Sequence, residues 1–151
     1  NLNCLSLQHI LFNVLSILRP LLILLVIAIG IIFDMIGVAV LTAKESTFHA
    51  MSSKKIKGAK IATKLIRNNV RVSSFCNDII GDICGIVSGG LGAVLAISMS
   101  NYIDITIATI ITSAIISALT VTGKAIFKTV AVKKADNILF MASKLLSIFN
   151  K

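Results

Sequence analysis

Three long apolar runs, separated by polar and basic stretches, set the pattern of the chain. The first follows Arg19-Pro20 and reads LLILLVIAIGIIFDMIGVAVL. Proline suits the first turn of a helix, where its missing N–H would have no partner anyway, so a span over residues 21–41 is predicted. The second run, FCNDIIGDICGIVSGGLGAVLAI, covers 75–97, and the third, ITIATIITSAIISALTVTGKAIF, covers 105–127. At about 1.5 Å per residue, each is long enough for the ~30 Å hydrocarbon layer of a bilayer. The third is rich in β-branched residues, which in water would favour a strand. In hydrocarbon an unpaired strand leaves its backbone unsatisfied, so a helix is predicted there as well.

The stretches between the runs carry the charge. Residues 44–72 hold Lys44, Lys54, Lys55, Lys57, Lys60, Lys64, Arg67 and Arg71 against the acid Glu45. The positive-inside rule places this connector in the cytoplasm and the N-terminus outside. Within it Ile56, Ala59, Ala62 and Leu65 or Ile66 recur at helical spacing, which predicts an amphipathic helix over about 50–70 lying on the inner leaflet. After the third run, Ile138, Met141 or Ala142, Leu145 and Phe149 share one face, with Lys133, Lys134, Lys144 and Lys151 largely elsewhere. A second interfacial helix over about 129–150 follows, with a cytoplasmic C-terminus. The predicted fold is all-α and integral to the membrane, a single transmembrane domain over 1–151. It has three transmembrane helices, with amphipathic interfacial helices after the first and third, and the plasma (inner) membrane is the expected location.

Composition narrows the classes. Of the 151 residues 56% are hydrophobic, and the mean hydropathy of +0.97 belongs to a membrane chain. A formal charge of +9 would suggest nucleic acid in a soluble protein, but there is no Trp and a single Tyr to stack on bases. The basic residues instead flank apolar runs, so membrane lipid is the expected partner and nucleic acid is not. Cys4, Cys76 and Cys84 read as small packing residues rather than a disulfide framework. His9 and His49 lack a second ligand at metal spacing.

Candidate chemistry lies in the polar residues inside the spans. Asp34 interrupts the first run; Asn77, Asp78 and Asp82 interrupt the second. An aspartate at a helix centre costs on the order of 2.5–3.5 kcal/mol on insertion scales. Asp78 and Asp82 stand four apart and share a face. If Lys44 and Arg71 mark the inner interface, all three acids lie roughly 10–17 Å along their helices from it. Hard cations such as Mg²⁺ seek oxygen ligands and often keep several waters. Carboxylates, the Asn77 amide and backbone carbonyls near Gly37 or Gly123 meet that need. Lys124 either reaches the Asp78/Asp82 face and competes with an ion, or snorkels to the interface. Gly81, Gly85 and Gly89 repeat every four residues, a spacing that lets helices pack closely in lipid. Thr109, Ser113 and Ser117 form a small polar stripe that could face the second span.

The order of parts resembles the transmembrane domain of CorC/CNNM-type magnesium transporters. The resemblance is carried by KKIKGAKIATKLIRNNVRVSS in the connector and GKAIFKTVAVKKADNI after the third span, and it covers about residues 30–148. It implies a homodimer with one ion path per subunit, and Mg²⁺ movement coupled to another cation, Na⁺ being the candidate. Departures are specific. Ile36-Gly37-Val38 stands where the family has a Ser-Glu-Thr-type segment, Lys124 replaces a glutamate and Phe127 a proline. Asn77, Asp78 and Asp82 stand near the family's asparagines on the second helix. No nucleotide-sensing region follows in this chain, so regulation by ATP through one is not expected. The expected function is transport of divalent cations, Mg²⁺ foremost, by export or exchange, without enzymatic activity. Asp34, Asn77, Asp78 and Asp82 are the expected ligands, Gly37, Gly123 and Lys124 the backbone or charge contributors. The alternative is a small membrane interaction subunit that packs through Gly81, Gly85 and Gly89.

Overall fold

In hydrocarbon every backbone N–H and C=O must find a partner within the chain, and helix supplies those partners segment by segment. The computed structural model describes residues 2–149, with side chains at 18–148, and over these residues the chain is helical without a strand. Helix α1 is Leu2–Thr42, α2 Glu45–Ser53, α3 Ala59–Arg67 and α4 Asn69–Ser74. A π-helical turn, Phe75–Ile80, leads directly into α5, Gly81–Met99. Helices α6, Ile105–Lys133, and α7, Ala135–Phe149, complete the chain. Leu18–Thr42, Asn69–Met99 and Ile105–Lys133 are each long and apolar enough to cross a membrane.

The elements outrun the sequence pattern in three places. Pro20 lies inside α1 rather than at its start, because apolar helix formers on both sides outweigh one lost hydrogen bond. The second long helix begins at Asn69, since NVRVSS contains no breaker. Gly123 leaves α6 unbroken as far as Lys133, and α7 accordingly begins at Ala135.

Two compact units divide the residues. The first combines α1 up to Ile29 with Cys84–Val121; we call it the hairpin unit, after the α5–α6 turn. Its α1 residues Pro20, Ile23 and Ile27 face Leu95, Ile111 and Leu119 around an apolar cavity of about 200 Å³. The Arg19 guanidinium donates a hydrogen bond to the Ser98 hydroxyl, near the C-terminal end of α5, where a positive charge is favoured. Ser113 and Ser117 do face α5, lining a recess of about 250 Å³ with Gly85, Ser88, Gly89 and Gly92. Thr109 is exposed and bonds the Ile105 carbonyl of its own helix, 2.7 Å away.

The second unit, Gly30–Ile83 with Thr122 onward, holds the connector. Its core is Val40, Phe48, Ala62, Ile66 and Leu139. The connector is two helices rather than one. Lys55 at φ 55° and Gly58 at φ 90° turn the chain between α2 and α3. Helix α3 is strongly amphipathic: Ala59, Ala62, Thr63 and Ile66 are buried in protein while Lys60, Lys64 and Arg67 are exposed. Helix α7 splits its apolar residues between two faces. Ala135, Leu139 and Ser143 are buried, whereas Met141, Leu145 and Ile148 stay exposed. The Asp136 carboxylate accepts a hydrogen bond from the Lys44 N–H at 3.0 Å and from the Thr47 hydroxyl at 3.4 Å. It thereby caps the start of α2, where a helix dipole favours negative charge. Glu45 accepts from His49 Nε2 at 3.1 Å and lies 3.5 Å from Arg67 Nε. The His49 hydrogen bond, followed by that of Arg67, holds the Glu45 carboxyl below its ordinary range.

Gly58 is required at its position. A Cβ there would sit 3.1 Å from the Lys144 nitrogen and 3.3 Å from the Ser143 carbonyl carbon, both backbone atoms of α7. Left-handed geometry adds roughly 1–2 kcal/mol of strain for a residue with a Cβ. Gly58→Ala is expected to lower the unfolding temperature measurably by circular dichroism in detergent; an unchanged transition would refute the tight α3–α7 approach.

Candidate cation site

The π turn is the local feature that builds the site. The Gly81 N–H donates to the Cys76 and Asp78 carbonyls and bypasses the Asn77 carbonyl, which an α-helix would have used. Asn77 sits in this turn with its Nδ2 donating to the Ser73 hydroxyl at 3.3 Å. Its Oδ1 is shielded from solvent and has no hydrogen-bond partner. Buried polar atoms are nearly always paired, so an orphaned amide oxygen calls for an explanation.

That oxygen is packed on Gly37 of α1. A Cβ on Gly37 would overlap the Asn77 amide, lying 2.8 Å from Cγ and 3.2 Å from Nδ2. The glycine therefore lets α1 and the π turn approach, and the Asn77 carbonyl fills the space. Close by in sequence, Gly81 is buried, and its Cβ position lies 3.3 Å from the Lys124 ammonium of α6. Gly123 serves close packing as well: a Cβ there would meet the Ile31 Cδ1 at 2.5 Å.

The sequence-predicted residues thus fall into two groups. Gly37 meets Asn77, and Gly81 meets Lys124, all within the connector unit. Asp34 is half-buried on α1, while Asp78 and Asp82 are exposed. Among the described residues no three His, Cys, Asp or Glu side chains gather where they could hold one metal ion. Gly85 and Gly89 meet nothing within 4 Å of their Cβ positions. The arrangement offers one neutral oxygen with free lone pairs and three carboxylates on the adjoining helical segments. The π turn and the Asn77–Ser73 bond escape sequence reading, because FCNDII has the composition of an ordinary helical turn.

Three helices long and apolar enough to cross a membrane give the chain the character of an all-helical membrane protein. No family model, curated protein or solved structure matches the chain.

Proposed function

We propose that the protein carries a hard divalent cation, Mg²⁺ foremost, across the membrane by export or exchange with another cation such as Na⁺. The orphaned Asn77 Oδ1, packed on Gly37 of α1 within a π turn that also carries Asp78, carries this reading. In such a site Asn77 supplies a direct oxygen ligand. Asp34, Asp78 and Asp82 supply negative charge that draws the cation from water and holds its remaining hydration shell. The basic connector favours a cytoplasmic placement of α2 and α3, and exposed Met141, Leu145 and Ile148 on α7 favour contact with lipid.

Proteoliposomes containing wild type or Asp78→Asn/Asp82→Asn test the proposal. Mg²⁺ flux is expected to fall about tenfold or more in the double variant, which corresponds to losing at least ~1.4 kcal/mol of site stabilisation. Equal flux in both, or no flux in wild type, would sink it.

A second reading is favoured by the open face of α5. Gly85 and Gly89 are exposed, with free space above them. A helix packing there, from a second copy in a homodimer, would bury that face. A pure packing subunit would tolerate Asp78→Asn/Asp82→Asn and fail on Gly85→Leu; a transporter loses function on both.

A further inference from the structure

Lys124 lies well inside α6, with about 13 Å of helix between it and the end at Lys133. A lysine near a span's end ordinarily snorkels toward water. Here the side chain is half-buried, and its ammonium rests against Gly81, 3.3 Å from the position a Cβ would take. Gly81 follows Asp78 by three residues and directly precedes Asp82, so the ammonium rests against the backbone segment that carries both carboxylates. The absence of a side chain at Gly81 is what makes room for it.

Among the described residues the ammonium forms no ion pair: those within 4.0 Å are of Glu45 with His49 and Arg67. A structural lysine in an apolar bundle is expected to be paired. This one instead stands beside Gly81, which lies in the chain between Asn77, with its unpaired oxygen, and Asp82. Asp34, Asp78 and Asp82 place three formal negative charges in this unit's spanning segments, which also carry Arg71, Lys124, Lys128 and Lys133; of these bases Lys124 is the one that rests against Gly81.

We infer that the Lys124 ammonium is a tethered cation, resting beside Gly81 in the field of the site and displaced when a divalent cation enters. This rests on the ion-site reading above and adds regulation to it. A tethered charge is always present at high effective concentration, so it lowers the apparent affinity of any free cation and offsets part of the site's negative charge after the cation leaves. It also sets a preference: a divalent ion overcomes a single ammonium more readily than a monovalent one does.

Two experiments test it on the full chain in nanodiscs. In Mg²⁺ titrations by calorimetry, Lys124→Met is expected to bind about tenfold tighter than wild type, and Lys124→Arg like wild type. Equal, measurable affinities in wild type and Lys124→Met would overturn the tether and leave the ion site standing. Absence of Mg²⁺ binding in all three proteins would overturn the ion site and the tether together. The second experiment needs no variant. Acylation of Lys124 in wild type by a small membrane-permeant anhydride, read by peptide mass, is expected to speed up several-fold at saturating Mg²⁺, as the ammonium leaves Gly81. An acylation rate at Lys124 that Mg²⁺ does not change would refute displacement.

Discussion

Gly37→Ala is expected to lower Mg²⁺ flux in proteoliposomes about tenfold or more while leaving the protein folded. The added methyl overlaps the Asn77 amide, but the atoms it meets are the end of a side chain with two free torsions. The amide swings aside, and the backbones of α1 and the π turn need not part. Stability changes little, because losing the Asn77–Ser73 hydrogen bond costs about 1 kcal/mol. Alanine's better helix propensity returns nearly as much, about 1 kcal/mol. Flux, by contrast, loses its direct oxygen ligand and should fall about tenfold or more, equivalent to ~1.4 kcal/mol or above. Flux measurement beside a thermal melt separates the two effects. A variant that melts like wild type and still transports at the wild-type rate would remove Asn77 from the mechanism.

Phe48→Ala is expected to be the most destabilising single change in the connector unit. Phe48 is fully buried among Val40, Ala62, Ile66 and Leu139, so it joins α1, α2, α3 and α7. Truncating a buried phenylalanine costs about 3–5 kcal/mol. For a chain of this size that lowers the melting temperature by roughly 6–20 °C. Leu145→Ala, on the exposed face of α7, is the control and should melt close to wild type. A similar loss in both variants would mean that the core does not lie where α2, α3 and α7 meet.

Some of this architecture is legible in the chain because it is local. The length and hydropathy of the three runs suffice for three long helices, and lysines at helical spacing mark the polar face of α3. Ser113 and Ser117 are readable as a stripe facing α5, since small polar residues seek a protein neighbour in an apolar helix. What remains hidden depends on how helices rotate about their axes. Asn77 and Gly37 stand out separately as an amide and a glycine, but only a packed pair reveals that one fills the space the other leaves. The connector pattern fits one interfacial helix because Ile56, Ala59, Ala62 and Ile66 keep their period across Gly58. The positive φ that breaks it becomes visible only when α7 is seen to press on that turn. On α7 the face of Ile138, Met141 and Leu145 is the more conspicuous stripe, yet Leu139 and Ser143, one position along, are the residues that enter the protein. The contact of the Lys124 ammonium with Gly81 is likewise invisible in the sequence, because it depends on how α6 is rotated against α5.

The cap that Asp136 places on α2 has a consequence for the order in which the protein is built. Lys44 and Asp136 are separated by 92 positions, and Leu139 completes the core around Phe48. Ribosomes add about 5–20 residues per second, so the connector helices wait roughly 5–20 s for the last helix that covers them. During that interval Val40, Phe48, Ala62 and Ile66 have one another as neighbours but lack Leu139, so the connector's core stays open on one side until α7 has been made.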